Sequence, residues 1–152
     1  MFVPDDFDPP ATLTFMSAAG QAACLVPLGV EHNERDHRAW MSSIDHIRAS
    51  PGFAGRDWPY EMSLADNADD LLAHADDFAA GRGFTYTVLD GDDVIGCVYI
   101  YPDDEGAHDV HVRSWVRADR ADLDGALRVA VLRWLHAEWP FTDIRYAGTG
   151  RC

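Results

Sequence analysis

The chain has 152 residues, 47% apolar and 25% charged, a balance that excludes disorder and allows one domain with a sizeable core. Lys and Arg total 12 against 26 Asp and Glu, a formal net charge of −14. A surface of that sign repels nucleic acid and anionic lipid, so neither is expected as a partner.

Residues 1–11 are rich in Pro and Asp and predict an irregular lead-in. They carry Asp where a signal peptide needs basic and apolar residues, and no run in the chain approaches the roughly 20 apolar residues of a membrane span. A cytoplasmic location is the expectation. "TLTFM" (12–16) has strand propensity, so residues 1–20 read as an irregular or extra-strand extension of a single domain over 1–152. "AACLVPL" (22–28) reads as a strand, with Pro27 suited to its end or to a sheet edge.

Val30, Trp40, Ile44 and Ile47 predict one helix over 30–50, stopped by Pro51-Gly52. A loop over 51–62 carries Phe53, Trp58 and Tyr60. A second helix is expected over 63–81, with Ala68, Leu71, Leu72, Ala75, Phe78 and Ala79 inward and Gly81 as C-cap. "GFTYTVLD", "GDD" and "VIGCVYIYP" (83–102) predict two strands joined by a tight turn. In "DVHVRSWVR" (109–117), Val110, Val112, Ser114 and Val116 alternate with His111, Arg113, Trp115 and Arg117. One face reads as buried and the other as polar and aromatic. Leu123, Leu127, Val131 and Trp134 predict an amphipathic helix from Asp119 to about Trp139, ended by Pro140. "DIRYA" (143–147) reads as a last strand. Cys24, Cys97 and Cys152 have no CxxC spacing and make neither a disulfide framework nor a zinc knuckle. Cys97 reads as a small buried hydrophobe.

The order is strand, helix, helix, strand, strand, strand, helix, strand. The last strand–helix–strand step implies a parallel pair and the short turns imply antiparallel ones, an α/β fold with a mixed, mostly antiparallel sheet. This order resembles the GNAT superfamily of acyl-CoA-dependent N-acyltransferases. "FTYTVLDGDDVIGCVYIYP" is similar to its second and third strands, with a small-residue step at Gly96. "DVHVRSWVR" is similar to its fourth strand and "LDGALRVAVLRWLHAEW" to its third helix. The resemblance spans roughly residues 22–147. It implies a GNAT-like fold that lacks the usual C-terminal helix and last strands. It also implies acetyl-CoA as co-substrate and a small amine as acceptor.

The family holds the CoA pyrophosphate on backbone N–H groups of a Gln/Arg-x-x-Gly-x-Gly/Ala loop between those two elements. Here Asp119, Asp122 and Asp124 stand at the Gln/Arg and two Gly positions. Val116, Arg117, Arg120, Asp122, Asp124 and Gly125 are therefore the implied cofactor-binding set. Two readings of this turn remain open. Arg117 and Arg120 offset the carboxylates and bind the pyrophosphate, or Asp119 and Asp122 form a capping box in which the helix neutralises its own anion site.

Acyl transfer to an amine needs a base and a polarised carbonyl. His111 is the candidate base, Arg113 the candidate for a substrate carboxylate, and a backbone N–H near Trp115 or Val116 the implied oxyanion donor. Trp115 is placed at the acyl pocket. The alternative is that these side chains form a solvated strand face. Phe53, Trp58 and Tyr60 are candidate acceptor-site residues or anchors of an ordered loop. His32, Asp36 and His37, or His108, Asp109 and His111, lack an HExxH-like pair on one helical face, so no metal is expected. The acidic surface favours a cationic acceptor. An open edge at 143–147 suggests a homodimer. The second function considered is a GNAT-derived binding or dimerisation module that does not use acetyl-CoA.

Overall fold

The computed structural model of the protein describes residues 1–148, and Cys152 lies outside them. Among the described residues six strands form one sheet in chain order: β1 (Leu13–Met16), β2 (Ala22–Pro27), β3 (Phe84–Asp90), β4 (Asp93–Tyr101), β5 (Val110–Val116) and β6 (Ile144–Tyr146). Every neighbouring pair is antiparallel except β5–β6, which is parallel. The extra N-terminal strand, the central hairpin and the one parallel pair are as the sequence predicts. Pro27 ends β2, where its missing N–H disturbs no ladder.

Helices cover both faces. α4 (Asp124–Glu138) packs across β1 and β5, and Leu127, Val131 and Leu135 join Val88, Val98, Val110 and Val112 in the larger core. On the opposite face α1 (Asn33–Met41) lies on β4 and α3 (Leu64–Ala80) on β3. The second core there contains Trp40, Ile47, Phe53, Leu71, Cys97, Tyr99 and Trp115. Gly96 lets β5 approach closely, because a Cβ on it would lie 2.5 Å from the Trp115 carbonyl oxygen.

The structure corrects three details of the predicted elements. The helix expected over 30–50 is a 3₁₀ turn (Val30–His32), α1 and a short α2 (Ile44–Arg48), and Val30 is exposed. The chain breaks at Ser42-Ser43. Ser42 Oγ donates to the Ala39 carbonyl (2.7 Å), and Ser43 Oγ accepts the Ala118 N–H (2.8 Å) from beyond β5. In α3 the inward stripe is Asn67, Leu71, His74 and Phe78, while Leu72 is 49% exposed. Ser63 caps its start and Gly81 its end. Finally, the helix expected from Asp119 begins as a 3₁₀ turn over Ala118–Leu123, broken at Arg120, and neither it nor α4 has a side-chain cap. The capping box does not form, because Asp119 is held by both Arg117 Nε (2.9 Å) and Nη2 (3.2 Å).

Ser43 is buried and ties the helical layer to the end of β5. Ser43→Ala leaves the Ala118 N–H without its acceptor and is expected to cost about 1–2 kcal/mol in urea unfolding, against less than about 0.5 kcal/mol for the exposed Ser42→Ala.

Candidate functional site

β5 and β6 pair only from Val110↔Ile144 to Val112↔Tyr146. β5 then continues through Arg113–Val116 with β4 on one edge and a notch on the other. Arg117 donates its N–H to Ile95 on β4, and Val112 accepts that of Ala147 on the β6 side. Peptide groups alternate in direction along a strand, so Ser114 and Val116 turn theirs toward the notch and Trp115 turns its own toward β4. Of the two expected oxyanion donors, the Val116 N–H faces the notch and the Trp115 N–H faces β4. Side chains line the notch on both sides of the sheet. On the α4 side Ser114 Oγ and Tyr146 OH are 2.7 Å apart, with Arg128 over the Tyr146 ring and bonded to the Ala147 carbonyl. On the other side lies Gly52 (φ +88°), where a Cβ would come within 2.9 Å of both Ala147 and Arg113.

Beside the notch, on the α1–α3 side, a cleft of about 450 Å³ is walled by Phe53 and Trp58 from the loop, Asp70 and His74 from α3, Tyr99 from β4 and Arg113 from β5. Tyr101 donates its O–H to Asp77 Oδ2 (2.9 Å), so its oxygen accepts from His74 Nδ1 (2.8 Å), with Thr85 Oγ1 (3.1 Å) as a second acceptor for the same N–H. That bond places the imidazole proton on Nδ1 and leaves Nε2 with a free lone pair. Burial lowers the His74 pKa and keeps the ring neutral; Asp70 and Asp77 oppose the shift. Asp36 is buried in the same wall, and burial raises its pKa to about 6 against an opposing bond from Asn67 Nδ2 (3.0 Å). Asn67 Oδ1 in turn accepts the Trp40 indole N–H (3.1 Å).

The β5–α4 junction is satisfied from within. Ala118 N–H goes to Ser43 Oγ, Arg120 N–H to the Arg117 carbonyl and Asp124 N–H to the Ala121 carbonyl. Arg117 pairs with Asp119 and, at 3.8 Å, Asp93; Arg120 pairs with Asp90 (2.9 Å) and Arg128 with Asp124 (2.9 Å). Val116 is buried at this junction, while Asp122 and Gly125 are exposed.

The structure of RimJ from Mycobacterium smegmatis, solved with a CoA disulfide, superposes with a TM-score of 0.72 at 17% identity, covering 90% of this chain and 67% of that one. The fold is that of the GNAT acetyltransferases. The structure of a protein from Vibrio cholerae named a "putative ribosomal-protein-serine acetyltransferase" covers 95% of this chain and 74% of its own at 11% identity and a TM-score of 0.65. The microcin C7 self-immunity acetyltransferase MccE, solved with acetyl-CoA and AMP, covers 75% and 61% at 12% identity and 0.58. The chain thus spans between 61% and 74% of the length of these GNAT structures. No family model and no curated protein matches the sequence.

Of the residues singled out in the sequence, Phe53, Trp58 and Arg113 meet in the cleft. Tyr60 is 51% exposed and lines a separate groove with Ser42, His46 and Ala118. Trp115 is buried beneath the cleft and donates its indole N–H to Tyr99 OH (3.0 Å). His111 lies on the far side of Arg113, in a groove with His108 and Arg145. The second face of β5 is not solvated, since His111 and Trp115 are both buried. Asp103, Asp104 and His111 each bring one ligand atom within 4.8 Å of the others. Asp103 already accepts from Glu105, Ala107 and His108 N–H groups and from Arg145, which suits it to anchoring the loop. His74, Asp36 and Asn67 are polar residues on inward helical positions. The sequence signal for His74 is its place at i+3 from Leu71, which a purely apolar stripe overlooks.

Asp36 makes a pH prediction with a definite sign. Its folded pKa lies above the ordinary value of 3.8, so the folded state holds the proton more tightly and stability falls as pH rises from about 4 through about 6. Asp36→Asn is expected to raise the melting temperature at pH 8, by a stabilisation on the order of 2 kcal/mol, and to change it little at pH 4, as scanning calorimetry would show.

Proposed function

We propose that the protein is an acyl-CoA-dependent N-acyltransferase that modifies an amine held in the cleft beside the β5–β6 notch. The observation that carries this reading is His74, a neutral imidazole in the cleft wall with Nε2 free and Nδ1–H donated to Tyr101. Such a group takes a proton from an ammonium acceptor, and Asp77 behind Tyr101 steadies the charge that results. The Ser114 and Val116 peptide groups supply N–H donors on the notch side for a developing oxyanion. When bound, an acyl thioester supplies the electrophilic carbonyl. Support for that donor comes from the fold neighbours solved with CoA or acetyl-CoA.

Arg117 and Arg120 are the residues that would hold the donor's diphosphate. They fit it by exchange, because the carboxylates of their present partners Asp119 (70% exposed) and Asp90 (44% exposed) can turn to solvent when the arginines take an anion. The ring of carboxylates opposes the anion, which favours weak donor binding. A second reading follows from the same junction. With the Ala118, Arg120 and Asp124 N–H groups and all three arginines internally engaged, the domain serves as a binding module that does not use acetyl-CoA.

Calorimetry with acetyl-CoA separates the two, and no binding at millimolar ligand would sink the enzyme reading. Asp119→Asn with Asp122→Asn removes two charges from the junction and frees Arg117, so acetyl-CoA affinity is expected to rise about tenfold. In a CoA-release assay His74→Gln is expected to lose about a hundredfold in rate. The wild-type rate should hold on the acid side to below pH 6.5 and fall as His74 protonates. An unchanged rate in His74→Gln rules that residue out as the base.

A further inference from the structure

Six arginines among the described residues are half-buried: Arg35, Arg113, Arg117, Arg120, Arg128 and Arg145. Arg35 donates to the Asp92 and Glu31 carbonyls, and the last four each meet a carboxylate. Arg113 has no partner of either kind among the described residues. Its guanidinium stands 5.4 Å from the Phe53 ring centroid and 5.3 Å from that of Tyr99. Its alkyl stem rests on Gly52, where a Cβ would reach Arg113 Cγ at 2.9 Å. Ring faces fix the plane of a guanidinium but accept none of its five N–H bonds in the way an oxygen does. The protein therefore holds a rigid fork of donors in the wall of the 450 Å³ cleft, with Arg56 as a second cation in the same lining. Burial, and after it the charge on Arg56, lowers the Arg113 pKa, with Tyr99 and Asp104 opposing from beyond hydrogen-bond range.

The rest of the cleft has the complementary chemistry. Asp70 and the lone pair of His74 suit an ammonium, and Leu28, Trp58 and Leu71 suit an apolar side chain. We propose that Arg113, with Arg56, binds the carboxylate of the acceptor, so that the acceptor is an α-amino acid with an apolar side chain. Calling this ligand the acceptor rests on the acyltransferase reading; the carboxylate site itself does not. The proposal narrows the cationic acceptor that the net charge alone favours to one that also carries a carboxylate, because the fork would repel a second ammonium. Carboxylate recognition by a planar fork is bidentate, which a lysine cannot reproduce.

The test is titration calorimetry on the full chain without acyl-CoA. The probes are L-leucine and L-phenylalanine, their C-terminal amides, and the matching amines isoamylamine and phenethylamine. The free amino acids are expected to bind at millimolar concentration or below, and the amides and amines at least about tenfold more weakly. Arg113→Met keeps the packing stem and is expected to erase that preference, while Arg113→Lys keeps part of it. Thermal unfolding of both variants establishes that they fold; if Arg113→Met does not, Arg113→Lys with an unreduced preference overturns the proposal. So do amides or amines that bind as well as the amino acids, an undiminished preference in Arg113→Met, or no binding of any probe. Amino-acid binding without CoA release from acetyl-CoA would refute the acyltransferase reading and leave the carboxylate site standing.

Discussion

The rest of this molecule depends on β5 being covered on both faces. Val110, Val112 and Val116 meet the α4 core, while Trp115 joins Tyr99, Cys97 and Trp40 on the other side. Because side chains alternate, a one-residue slip in register would drive Arg113 and His111 into an apolar core, so the β4–β5 register is strongly fixed. Ser43 then clamps the chain just past β5 by accepting the Ala118 N–H. With both faces covered and one edge paired to β4, the unpaired edge beyond Val112 is where a ligand can reach the strand's peptide groups. The cleft and the junction take their positions from that edge.

The elements that were legible in the sequence are those whose pattern and packing agree. The β3–β4 hairpin, the capped α3 and the Leu127–Val131–Trp134 stripe each carry their own signal, and the parallel β5–β6 pair follows from connectivity alone. The site was less legible because its residues break the pattern. Asn67, Asp36 and His74 are polar and lie inward, and each is satisfied by a partner distant in sequence: Trp40 for Asn67, Asn67 for Asp36, Tyr101 for His74. Periodicity assigns such residues to solvent unless the partner is known. The break at Ser42-Ser43 is hidden for the same reason, since its cause lies 75 positions away. Asp119 shows the converse failure. Its identity and spacing suit a cap, but a two-pronged bond from Arg117 competes with a peptide N–H and wins.

Electrostatics at the β5–α4 junction separates fold from activity. Asp90, Asp93, Asp119, Asp122 and Asp124 stand around Arg117, Arg120 and Arg128, so the local balance is negative even though every arginine there is paired. A junction that bound an anion through bare peptide N–H groups would need neither set of charges. This junction carries side chains that neutralise one another instead. The carboxylate of each pair is at least partly exposed, yet the remaining carboxylates still repel an incoming anion by about 1–3 kcal/mol apiece at short range. On the acyltransferase reading, affinity for a CoA donor would depend on a small difference between opposed terms, while the strand, turn and helix around it are fixed by burial.

The same charge imbalance gives Arg113 its meaning. All 12 basic residues of the chain are arginines, against 26 acids, so a guanidinium in this protein meets a carboxylate almost by default. Arg117, Arg120, Arg128 and Arg145 do so. To remain unpaired while half-buried, Arg113 must be kept from them by structure, and Phe53, Tyr99 and Gly52 do that by occupying the space around its stem and plane. Leaving a cation desolvated without a counter-ion costs stability, which large aromatic burial nearby can offset. An arrangement that maintains such a cost in the wall of an open cleft is best explained by a ligand that supplies the missing charge.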